Sequence, residues 1–190
     1  SELNIHLGSE NVHSVFNDRF LALEETQVRL TDDQLLVFPA ETFSDAPITV
    51  FLISNKKIVT SRTKMFASDL RDAGLQVRSA LRFNGGASLD NLPEFNLQLS
   101  HQIYKEIFAE TLDEFKDATE LIVIPSWPIS NLPLAVLVTE DPANTNYTYN
   151  EQSWLGLEKN IRYLPSVSDL KIWEKKKSDD FFTSFLGFGD

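Results

Sequence analysis

Catalysis and ligand binding need nucleophiles, bases or metal ligands at fixed spacing, and this sequence supplies few of them. It contains no cysteine, which removes a thiolate nucleophile, a thiolate metal site and a disulfide framework from these residues. Its histidines, His6, His13 and His101, are scattered, with none of the i, i+4 spacing that sets two imidazoles on one helix face for a metal. Ser126 and Ser130 lack the flanking glycines that let a nucleophile elbow turn sharply. Gly187-Phe188-Gly189 matches half of a dinucleotide fingerprint, but the helix that would receive the phosphate is not there to follow it. Asp32-Asp33 and Asp179-Asp180 read as turn and cap residues, and Asn146-Tyr147-Thr148 as a chance match to the glycosylation sequon. The expectation is no metal and no cofactor.

Charge narrows the partners. A formal charge of -11 and a pI near 4.7 repel phosphate backbones and anionic lipid, so neither nucleic acid nor membrane is expected as a partner. A protein or peptide partner is. The first residues, Ser1-Glu2-Leu3-Asn4-Ile5-His6, lack the basic and apolar regions of a secretory signal, and no apolar run is long enough to span a bilayer. The expected location is therefore cytoplasmic. A Ser-Glu start without Met reads as a processed or excised piece, or as a trimmed natural terminus.

The elements around these residues follow from apolar spacing. Val15, Phe16, Phe20, Leu21 and Leu23 suggest a helix from about residue 11 to 27, so that 1–26 form an N-terminal helix or linker. Gln34 to Phe38 and Ile48 to Ile53 are β-rich runs separated by Pro39 and Pro47, which cannot donate to a ladder. With Lys57 to Thr60 they predict a small antiparallel meander. From Thr63, a candidate cap, the period becomes helical, with Phe66, Leu70, Ala73, Val77 and Leu81 on one face. The turn-rich stretch 84–95 marks a possible internal boundary. Leu99, Ile103, Ile107, Phe108, Leu112 and Phe115 predict a second amphipathic helix, followed by Glu120 to Pro125 as a strand buried on both faces. Leu134 to Leu137 reads as helical, 140–152 as a polar loop, and Asn160 to Pro165 as a strand. Ser166 is expected to cap a helix over 167–177, and Phe181 to Phe188 to close the chain as a strand. Lys171 and Lys175 to Lys177 complement the negative end of that helix. The class is α/β.

Several patches recur in one order. They are Gln27 with Leu30-Thr31-Asp32-Asp33; His101 to Phe108; Leu121-Ile122-Val123-Ile124-Pro125 with Leu132 to Leu137; Trp154-Leu155; Ile161 to Leu170; and Phe185 to Asp190. In that order and spacing the chain from about 27 to 190 resembles the amino-terminal part of a CHAT domain, the caspase-like α/β domain often found behind tetratricopeptide repeats. The resemblance implies a caspase-like sheet with flanking helices, incomplete here and preceded by the meander. One departure is Ser126-Trp127-Pro128, where the family usually has an Asp-Gly turn.

The resemblance also implies a place for function. Family members with peptidase activity carry a histidine and a cysteine beyond the segment matching Gly187 to Asp190, so no catalytic residue is expected in this chain, and alone it should be inactive. The loop after the first core strand would face the substrate cleft, which makes Ser126, Trp127 and Asn131 candidate specificity residues; Trp127 also reads as a cover for apolar surface. The rest of the domain would lie downstream, and repeats upstream. The resemblance thus implies part of a cysteine endopeptidase; the alternative is a non-catalytic protein-interaction module. A small independent domain that shares only the pattern is a third possibility.

Overall fold

The structure is a computed structural model of the chain, and it describes residues 22–40, 43–82, 94–108, 111, 117–142 and 149–171. In chain order the elements are α1 (Leu23–Gln27), β1 (Gln34–Ala40), β2 (Pro47–Ile53), β3 (Ile58–Phe66), α2 (Ala67–Ala80), α3 (Leu97–Phe108), β4 (Glu120–Val123), α4 (Leu155–Glu158) and β5 (Asn160–Tyr163). Short 3-10 turns cover Leu134–Val136 and Tyr149–Glu151.

The strands form one mixed sheet in the order β3-β2-β1-β4-β5. β1, β2 and β3 are an antiparallel meander, and β1, β4 and β5 run parallel. Strand alternation sends Leu35, Val37, Val50, Leu52, Leu121 and Val123 to one face, against Leu70 and Val77 of α2 and Ile103, Ile107 and Phe108 of α3. It sends Leu36, Phe51, Ile53 and Ile122 to the other, where Leu30, Val167 and Leu170 cover them. The result is a three-layer α/β arrangement, and β4 is buried on both sides as its uninterrupted apolar run requires.

The strands run further than the sequence suggests. β1 continues through Pro39, which pairs with Val50. The Pro39 carbonyl accepts from Ser126 Oγ and the Val37 carbonyl from the Ile124 N–H, both on the β4 side. Pro39 lies beyond Val37, the last residue of β1 in register with β4, so its missing N–H falls at the end of the parallel ladder. Pro47 is the first residue of β2, another position that tolerates proline.

Thr63 does not cap α2. It lies inside β3, where its Oγ1 accepts from the Ile48 N–H at 3.0 Å and donates to the Met65 carbonyl at 2.8 Å. The helix starts after Phe66, with no side-chain cap. Ala67, Leu70, Ala73, Gly74 and Val77 form its buried face, whereas Phe66 and Leu81, expected on that face, are 48% and 46% exposed at its two ends. Ser166 does begin a helical turn: its N–H and its Oγ both donate to Asp169 Oδ2, at 2.9 and 2.8 Å. Lys171 of that turn faces Glu25 at 3.6 Å.

The expected helix before Leu23, the 84–95 boundary up to residue 93, Leu112, Phe115, Lys175 to Lys177 and the closing strand 181–188 lie outside the described residues, as do His6, His13, the Asn146 sequon, Asp179-Asp180 and the Gly187 segment.

Candidate functional site

Parallel strands align their carboxyl ends on one edge of the sheet, and the loops that leave them there meet. In open α/β sheets that edge is where ligands bind. Here β4 ends at Val123 and β5 at Tyr163, in register with each other. Beside them opens a groove of about 560 Å³, lined by Arg78, Leu81 and Arg82 of α2 and its end, by Pro125, Ser130, Asn131, Leu132 and Pro133 of the loop after β4, and by Tyr163.

Hydrogen bonds to three neighbours fix the loop. Ser126 Oγ donates to the Pro39 carbonyl at 2.6 Å and so fastens the loop to the end of β1. Arg78 Nη1 donates to Asn131 Oδ1 at 2.8 Å and to the Asn131 carbonyl at 3.3 Å. Further along, the Leu134 N–H donates to the Tyr163 hydroxyl at 2.9 Å. Burial pushes the Tyr163 phenol above its ordinary value of 10.0, partly offset by that N–H. The phenol is therefore neutral, and its own proton remains to be donated.

Of the three candidate specificity residues, Asn131 lines the groove and Ser126 and Trp127 do not. Trp127 is half-buried and packs against the core on the α2 side. The Arg71 guanidinium lies 5.9 Å from its ring centroid, within cation-π range. Its contacts are those of a cover over apolar surface. The Trp127–Pro128 peptide bond is cis.

Apolar periodicity could not reveal Arg78, Arg82 and Tyr163, since the first two are charged residues at a helix end, one half-buried and one exposed, and the third is the last residue of β5. The i, i+4 spacing of Arg78 and Arg82 was the available signal. It also passed over how α3 holds the chain after the loop. Ser100 Oγ donates to the Val136 carbonyl and accepts from the Val138 N–H, and His101 Nδ1 donates to the Val138 carbonyl at 3.0 Å. His101 is buried on the inner face of α3.

Among the described residues, no group of three or more His, Cys, Asp and Glu side chains is placed to hold a metal. None of the described helices is long and apolar enough to cross a membrane. An apolar groove of about 890 Å³ adjoins the one at the carboxyl edge through Leu81 and extends between Phe95, Val136, Trp154 and Leu157. The groove at the carboxyl edge differs from it in bringing two guanidiniums, an amide and a phenol together.

The fold class is thus α/β with a five-stranded mixed sheet. The chain matches no family model and no curated protein.

Proposed function

We infer that this chain is the amino-terminal part of a caspase-like domain of the CHAT kind, and that the groove at the carboxyl edge of β4 and β5 receives an extended peptide. The lining of that groove carries the inference. Arg78 and Arg82 stand one helical turn apart, Asn131 is held by Arg78, and the Tyr163 hydroxyl has already used one lone pair. Such a set donates far more than it accepts and favours a carboxylate in the bound segment. In this proposal the thiol and imidazole of a peptidase come from residues other than 1–190, which contain no cysteine. The rest of the sheet lies downstream, and tetratricopeptide-like repeats upstream.

The test is fluorescence polarisation of labelled peptides, graded in Asp and Glu content, against the chain and against an Arg78→Glu/Arg82→Glu variant. Acidic peptides are expected to bind, and the variant to lose at least about tenfold, since each charge-assisted contact is worth more than a neutral one. Equal binding by the variant sinks the assignment of the groove.

The second reading, a protein-interaction module without catalysis, shares the groove and differs in outcome. Cleavage of a bound peptide by the protein from its natural source, blocked by thiol alkylation, supports the peptidase. Binding without cleavage supports the module.

A further inference from the structure

A second polar groove, of about 710 Å³, runs between the outer edge of β3 and α3, on a different part of the molecule. Its walls carry Arg62 and Lys64 from β3, and Asn96, His101, Lys105 and Glu106 from α3 and the residue before it. Three cations and one carboxylate therefore share it, in a chain whose net charge is -11. Among the described residues, none of Arg62, Lys64 and Lys105 enters an ion pair. An acidic protein that gathers unpaired cations in one concavity focuses positive potential there against its own average.

The single carboxylate is occupied. Glu106 Oε2 accepts from the backbone N–H groups of Lys64 and Met65, at 2.6 and 3.0 Å, and so closes the exposed edge of β3. His101 is 6% exposed, and its Nδ1 is engaged with Val138. The first turn of α3 borders the groove, with Asn96 Oδ1 accepting from the Leu99 N–H. That leaves other N–H groups of the helix start, with the positive end of the dipole, on the same side. The groove is of small-ligand size. Point-charge lysines, an arginine fork and amide donors match a compact oxyanion with several acceptors, and two ammonium groups with a helix start suit phosphate better than a planar carboxylate.

We propose that the groove between β3 and α3 binds a small phosphate-bearing anion through Arg62, Lys64 and Lys105. The site is separate from the peptide groove and does not depend on it.

The experiment is calorimetric titration of the full chain with inorganic pyrophosphate at low ionic strength, repeated with citrate as a tricarboxylate control. Pyrophosphate is expected to bind at least about tenfold more tightly than citrate, and an Arg62→Gln/Lys105→Gln variant to lose at least about tenfold in pyrophosphate affinity. Both changed residues are exposed, and circular dichroism checks that the variant folds. Lys56→Gln, in the turn before β3, outside the groove lining and paired with Asp32, and Arg78→Gln should bind like the parent. No heat with pyrophosphate, citrate binding as tight, or an equal loss in Lys56→Gln each overturns the proposal. Loss of peptide binding in Arg78→Glu/Arg82→Glu with pyrophosphate binding intact keeps the two sites distinct.

Discussion

Ser126, just past the end of β4, donates its hydroxyl proton across 2.6 Å to the carbonyl of Pro39, at the end of β1. The bond joins two parallel strands where their ladder stops, and it uses a proline residue that has a carbonyl to offer but no N–H. The loop bearing Asn131 thus leaves the sheet from a fixed point rather than from a free end.

Replacing Ser126 with Ala leaves that half-buried carbonyl without its donor. We expect a loss of about 1 kcal/mol, seen as a lower urea midpoint with an unchanged slope. An unchanged midpoint would mean that water replaces the hydroxyl at no cost.

Two glycines should respond in opposite directions to the same substitution. A Cβ on Gly156 would meet the Cβ, carbonyl oxygen and Cα of Ala135 at 2.7, 2.9 and 3.0 Å, mostly backbone that cannot step aside. Gly156→Ala is expected to destabilise by roughly 1–3 kcal/mol. A Cβ on Gly74 would meet the Leu132 side chain at 3.6 Å, an ordinary contact, in the interior of α2. Gly74→Ala should therefore stabilise by about 0.5–1 kcal/mol. Thermal unfolding of the two variants side by side checks both signs.

Tyr163 supplies a pH signature. Burial favours its neutral form in the folded state, so its folded pKa lies above the unfolded one. The stability linked to it is complete below the ordinary value of 10.0 and is lost as pH rises through the folded value. Ultraviolet titration should show a phenol ionising above the ordinary value of 10.0, and Tyr163→Phe should abolish that step. The same variant strands the buried Leu134 N–H and should cost roughly 1–3 kcal/mol at neutral pH. A late phenol that persists in the variant would assign the shift to another tyrosine.

The parts of the fold that bury continuous apolar runs were readable in the sequence: β2, β4 and the faces of α2 and α3 follow from Ile48 to Ile53, Glu120 to Ile124, and the spacing of Leu70, Ala73, Val77, Ile103 and Ile107. The second half of β3 was not. Its inward residues are Ser61 and Thr63, which are buried through hydroxyl hydrogen bonds to Ile107, Ile48 and Met65. Hydropathy therefore sees a polar segment where the sheet has two satisfied hydroxyls. α4 is only four residues long and was passed over for the same want of periodicity.

At the candidate site, the loop 126–131 was readable from its position after a buried strand, but its occupants were only partly so. Asn131 reaches the groove, while Trp127 turns to the core and Ser126 to Pro39. Arg78, Arg82 and Tyr163 arrive from elements distant in sequence, and only the crossover that sets β4 and β5 side by side brings them together.

That arrangement also has a history during synthesis. Gln34 of β1 and Glu120 of β4 are joined side chain to side chain at 2.7 Å, yet they are 86 positions apart. At the usual pace of translation β1 waits roughly 4–17 s for its parallel neighbour to leave the ribosome. Through that interval the meander can close around β2 and β3, but the far side of Leu35, Leu36 and Val37 has no strand beside it. The nascent chain is then at its most adhesive, and a chaperone that holds extended apolar segments has its best opportunity there.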